Sequence, residues 1–194
     1  MKMEFYCAAA AMALSMLAAP AAAEILAIMN YESKPEGDLR SLKLSGDMPR
    51  REGLAIVDVD PESTSFGRIL ADIPIDPETV AHHIFYDRTM SKAYITGLQQ
   101  PSLQVLDLTQ NPYRLSIIET PPCSVAEDVI LDEANERWFL TCMGSGNVIV
   151  GEVATDEVLG EIDLSGTYPH GLAVNSQIDR ILVTSTISPD QTTP

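Results

Sequence analysis

Basic residues are scarce in this chain. Twelve lysines and arginines stand against twenty-eight aspartates and glutamates, a formal net charge of −16. A surface of that sign repels nucleic acid and anionic lipid, and neither is expected as a partner. Long apolar runs are nearly missing as well. Phe5 to Leu17 is one, and it is too short to span a bilayer. Cysteine is sparse: Cys7, Cys123 and Cys142 are the whole complement, with no Cys-x-x-Cys pair. No Gly-rich phosphate loop and no nucleophile elbow occur, so the familiar nucleotide and serine-hydrolase motifs are not available here.

What is present begins with an export pattern. Lys2 precedes the short apolar run, and Ala21-Ala22-Ala23 offers a small-residue cleavage site before Glu24. Residues 1–23 therefore read as a secretory signal peptide. Cys7 lies inside the run, not at its cleavage end, which gives no lipoprotein signal. The expected mature chain starts near Glu24, is periplasmic or secreted, and has no membrane span after signal cleavage.

The rest of the sequence repeats. GLAIVDVD (53–60), SLQVLDLT (102–109) and NVIVGEVA (147–154) align as one strand. GRILADIPI (67–75), YRLSIIET (113–120) and VLGEIDLS (158–165) align as the next. AHHIFYD (81–87), AEDVILD (126–132) and PHGLAVN (169–175) follow, and KAYITG (92–97), RWFLTC (137–142) and RILVTS (180–185) close each unit. Thr96, Thr141 and Thr184 are equivalent, 45 and 43 residues apart. A period of this length with four short strands is the mark of a β-propeller. The fold expected for 24–194 is all-β, with four-stranded blades whose innermost strands start near His82, Glu127 and Pro169. About three blades plus partial strands are visible, some thirteen strands in all, where closed propellers typically have about 4–8 blades. The expectation is an incomplete N-terminal part of a larger ring; a four-bladed ring with a poorly formed last blade is the alternative.

Each inner strand is followed by a turn rich in Asn or Asp, at 87–91, 132–136 and 175–179, which suits a tight hairpin. ILAIMN (25–30) resembles the second strand of an earlier blade, with Met29 in the threonine register. On that alignment 31–52 carries an insertion of eighteen residues with Lys34, Arg40, Lys43, Arg50 and Arg51, five of the eleven basic residues after the leader. It reads either as a basic flap near the channel mouth or as a plain surface loop. Asp58, Asp107 and Glu152 match in register and read as turn-facing carboxylates. Asp60-Pro61-Glu62 and Asp76-Pro77-Glu78 read as turns. Tyr94 and Trp138 fall where packing between blades is expected.

All three histidines fall inside this register. His82, Glu127 and His170 are equivalent, at the same two offsets as the threonines, and should stand where inner strands meet the mouth. Imidazole nitrogen and carboxylate oxygen suit zinc, copper or iron, or general acid–base work without a metal. A ring of polar residues in a wet channel is the structural alternative. His83 and Asp128 are the immediate neighbours, and strand alternation predicts that only one of His82 and His83 points the same way as His170. Cys123 lies in a proline-rich loop and Cys142 ends the following strand. A disulfide, a thiolate joining the histidines on a soft metal, and free thiols are all open; an oxidising compartment favours the first.

At these residues the chain resembles the seven-bladed propellers of the YVTN/YncE type, through PHGLAV (169–174), RILVTS (180–185) and VLGEIDL (158–164). GLAIVDVDPESTSFGRIL (53–70), the following His82-His83, YITGLQQPSLQVLDL (94–108) and ILVTSTISP (181–189) resemble the selenium-binding protein and methanethiol oxidase family. That resemblance implies a propeller, copper as the cofactor, and His82 and His83 as the family's paired histidines. The chain departs from it at PPCSVAED (121–128), where Cys123 and Glu127 stand in place of imidazoles, and it lacks the cysteine pair associated with selenium near His83. Three function classes follow: a secreted scaffold binding a small molecule or metal at the channel mouth, a copper-dependent oxidase resembling methanethiol oxidase, and a propeller lactonase. A protein partner at the propeller face is compatible with all three.

Overall fold

The computed structural model describes residues 25–31 and 51–186. The leader, the body of the inserted stretch and the last residues of the chain lie outside the described residues. Thirteen strands and no helix occupy the described part. They are β1 (Leu26–Tyr31), β2 (Glu52–Asp58), β3 (Ile69–Ile75), β4 (Ala81–Tyr86), β5 (Lys92–Gly97), β6 (Ser102–Asp107) and β7 (Arg114–Glu119). There follow β8 (Ala126–Leu131), β9 (Arg137–Cys142), β10 (Asn147–Glu152), β11 (Val158–Asp163), β12 (Pro169–Asn175) and β13 (Arg180–Ser185).

Sequential strands pair antiparallel into separate sheets. β4 to β7 and β8 to β11 form two four-stranded sheets, β1 to β3 a three-stranded one, and β12 and β13 a pair. The expected all-β architecture of four-stranded blades is present, with β4, β8 and β12 opening their sheets. Two units rather than three hold all four strands among the described residues.

The core lies between sheets, because each strand alternates apolar side chains onto a face that its own sheet cannot cover. Leu54, Ile56, Ala93, Ile95 and Leu106 join the first sheet to the second. Tyr94, Leu103, Val105, Trp138, Leu140 and Ile149 join the second to the third. Full burial of one such leucine contributes roughly 1.5–3 kcal/mol, so these layers fix how adjacent sheets stack. Trp138 lies flat against Gly151, where a Cβ would fall 1.9 Å from its ring.

The hairpins at the end away from the histidines are closed by a repeated acid or amide. Asp87 accepts the amides of Ser91 at 2.6 Å and Lys92 at 2.7 Å. Asp132 accepts those of Glu136 at 2.8 Å and Arg137 at 3.2 Å, and Asn175 that of Gln177 at 3.0 Å. Neighbouring hairpins are also tied together: Arg88 donates to the carbonyls of Leu131 and Asp132. Asp58, Asp107 and Glu152 close local turns through Ser63 and Ser65, Thr109, and Thr155. The hydrogen bonds from Ser63 and then Ser65 hold the Asp58 carboxyl below the ordinary aspartate range. Asp60 and Asp76 each accept the amide two residues on, as turn residues do.

One register differs from the sequence alignment. Asn30, not Met29, stands opposite Leu54, as Thr141 stands opposite Val148. The inserted stretch is thus one residue shorter than the alignment gives. Asn30 at this position hydrogen-bonds into the next sheet, as Met29 could not. Among the described residues no helix is long and apolar enough to cross a membrane.

Candidate functional site

The site is built from a distortion repeated three times. The pairing of β4 with β5 slips between Ala81 and Ile84, that of β8 with β9 between Ala126 and Val129, and that of β12 with β13 between Pro169 and Leu172. In each case two residues of the inner strand face one of its neighbour, which is a β-bulge. The bulged pairs are His82-His83, Glu127-Asp128 and His170-Gly171.

The repeated threonines hold these bulges. The amide of His83 donates to Thr96 Oγ1 at 3.1 Å, that of Asp128 to Thr141 Oγ1 at 3.0 Å, and that of Gly171 to Thr184 Oγ1 at 2.9 Å, always thirteen residues apart. The bulge takes this amide out of the ladder, and the hydroxyl supplies the acceptor it has lost. A second link reaches the next sheet. Thr141 Oγ1 donates to the carbonyl of His170 at 2.7 Å, and Asn30 Nδ2 lies 3.0 Å from the carbonyls of Ala81 and His82. The first and third bulges are therefore fixed from their own sheet and from the preceding one.

This geometry brings together all four predicted residues. Glu127 Oε2 lies 3.2 Å from His82 Nε2 and 3.5 Å from His170 Nε2. The Glu127 side chain is 5% exposed, whereas His82 and His170 are 35% and 37% exposed. The carboxylate thus forms the floor and the imidazoles the rim. His83 Nδ1 lies 3.1 Å from Asp128 Oδ1, and the His82 and His83 rings stack with centroids 3.8 Å apart. Ligand atoms of His82, His83 and Glu127 all fall within 4.8 Å of one another. The alternation rule, which put His82 and His83 on opposite faces, fails here because the bulge interrupts the pleat.

Cys123 and Cys142 are joined by a disulfide. Both are buried, and with their sulfurs bonded to each other neither is a thiolate ligand or a free thiol. Among the described residues the donor set around Glu127 is imidazole and carboxylate. Asp128, Asn30 and the threonines are the parts of the site to which sequence reasoning gave no role. Their signal was the constant thirteen-residue interval between each threonine and the second residue of a bulge.

The donors fit a metal ion. Glu127 Oε2 is buried and accepts no hydrogen bond among the described residues, although two imidazole nitrogens stand near it. An unsatisfied buried carboxylate oxygen is costly unless a cation meets it. Such a group could equally take up a proton from a ligand entering between the imidazoles.

No family model matches the chain, and no curated protein matches it. Solved structures do. A hypothetical selenium-binding protein from Sulfolobus tokodaii superposes with a TM-score of 0.61 at 15% identity, over 74% of this chain and 38% of that one. A periplasmic gluconolactonase from Pseudomonas aeruginosa gives 0.58 at 14% identity, over 70% and 43%. A putative 6-phosphogluconolactonase from Bacteroides fragilis gives 0.54 at 12%, over 69% and 44%. The chain spans less than half the length of each. At such identities the likeness concerns the fold alone, and it makes this chain similar to propeller-like proteins of differing named activities.

Proposed function

We propose that this chain is an exported propeller scaffold that binds a divalent transition-metal ion at the channel mouth. His82, His83 and Glu127 would hold the ion, with His170 at the rim beside Glu127. The observation that carries this is the buried Glu127 Oε2, which accepts no hydrogen bond among the described residues and lies between two imidazoles from different sheets. Once bound, the ion would supply a Lewis-acidic centre open to a small ligand on the exposed side of the imidazoles. The disulfide removes sulfur from the donor set, so a nitrogen and oxygen site suits zinc or copper(II) better than copper(I). The disulfide also agrees with an oxidising, extracytoplasmic compartment.

Titration of the full-length, chelator-stripped chain with zinc and with copper(II) tests this reading. One equivalent of either ion should bind, and Glu127→Gln, His82→Ala and His170→Ala should each weaken it. Absence of stoichiometric binding of both ions by the unmodified chain would overturn it.

A further inference from the structure

The three bulges have two rows, and the rows do different work. The first row is His82, Glu127 and His170. The second is His83, Asp128 and Gly171. We infer that Asp128 is a positioning residue: it fixes His83 as the tautomer protonated on Nδ1, so that Nε2 is the nitrogen this imidazole presents to a metal. The inference rests on the metal reading for its purpose, but not for its geometry.

The physical argument starts at the Asp128 carboxylate. Ionised, it can only accept hydrogen bonds. Its Oδ1 stands 3.1 Å from His83 Nδ1, so the favourable neutral imidazole carries its proton on Nδ1 and leaves Nε2 as a lone pair. The carboxylate is itself held in place. Its backbone amide is bonded to Thr141 Oγ1. Its other oxygen faces the third member of the row, where a Cβ on Gly171 would lie 3.7 Å from Oδ2. Two rings also touch the imidazole: it stacks on His82 with planes 27° apart, and it meets Phe85 edge-on, with centroids 5.8 Å apart. Ring plane, ring position and proton are therefore set by three different neighbours.

The repeat gives this pair its economy. His83 and Asp128 are the same position of successive units, 45 residues apart. One unit offers the ligand, the next its carboxylate partner, and the third a glycine without a side chain. A carboxylate behind a metal-binding histidine is the usual way to orient the ring and raise its basicity, and loss of such a partner typically lowers metal affinity about 10- to 100-fold.

The test reads the tautomer directly. The chain has three histidines, so long-range proton–nitrogen spectra of the metal-free, histidine-labelled full chain give three ring systems. His83→Gln identifies which one is His83. At alkaline pH, in the neutral imidazole, His83 should carry its proton on Nδ1. Asp128→Ala should move that proton to Nε2 and lower zinc affinity about 10- to 100-fold, and Asp128→Glu should restore the Nδ1–H form. A wild-type His83 protonated on Nε2 overturns the inference, and so does an Asp128→Ala protein with unchanged tautomer and zinc affinity. If Asp128→Ala does not fold, the wild-type and Asp128→Glu spectra still decide. Failure of the wild-type chain to bind both zinc and copper(II) would sink the metal reading alone, since the tautomer is read without metal.

Discussion

Thr141 and His170 are joined across two sheets: the Thr141 hydroxyl donates to the His170 carbonyl at 2.7 Å. The same oxygen accepts the Asp128 amide at 3.0 Å, and Thr141 is wholly buried. Thr141→Val keeps the shape and removes both bonds. It leaves a part-buried donor and a part-buried acceptor unmatched, together worth about 1–3 kcal/mol. Urea unfolding should show a loss in that range for Val, and most of it should return with Thr141→Ser. Equal midpoints for the Val variant and the parent would mean that the hydroxyl does not hold the bulge.

Trp138 and Gly151 make a second dependence that can be measured. An added Cβ at Gly151 would sit 1.9 Å from Trp138 Cζ2 and 2.0 Å from Cε2. The indole is fully buried and its Nε1 donates to the Glu152 carbonyl at 3.2 Å, so it has no free direction in which to yield. Gly151→Ala should cost about 1–3 kcal/mol or more through overpacking. Because Trp138 is the sole tryptophan, its fluorescence should shift in the folded variant. Gly160→Ala is the matched control, since a Cβ there meets nothing within 4 Å. An unshifted emission with parent-like stability for Gly151→Ala would contradict the packing described.

The sheets were legible because strand periodicity and repeat length are properties of the whole chain, and many weak signals agree. Tyr94 and Trp138 recur at one register and pack where two sheets meet. The assembly of His82, Glu127 and His170 was legible for the same reason, as equivalent positions of stacked units stand side by side. What the residues did not disclose was the bulge. Alternation is a local rule, and an extra residue in a strand leaves no hydrophobic trace. Alternation therefore separated His83 from His82, whose rings in fact stack, and the role of Asp128 stayed hidden. Asn30 was missed because a one-residue shift in the first strand leaves no mark in the sequence, while Asn30 makes a hydrogen bond to the carbonyl of His82 in the next sheet. The cysteine pairing was legible too: the export pattern favoured a disulfide, and Cys123 and Cys142 are joined by one.

Asp87 makes acid sensitivity a third measurable property, separate from the mouth. Burial works against its charge. The hydrogen bonds from Thr89, the Lys92 amide and Asn135 outweigh that and hold its carboxyl down to about 2, against an ordinary value of 3.8. The folded value lies below the unfolded one, so the ionised form stabilises the fold. That contribution is fully present above about pH 4 and is lost as pH falls toward about 2. A depression of this size is worth about 2 kcal/mol at most. Asp87→Asn should therefore be less stable than the parent by about 1–2 kcal/mol at neutral pH. The gap should narrow between about pH 4 and pH 2 as the parent's own carboxylate is protonated. Urea midpoints of both proteins across this range give the answer. A gap that stays constant down to the lowest pH would show that Asp87 acts through its shape and not its charge, because an amide closes the same turn but cannot titrate.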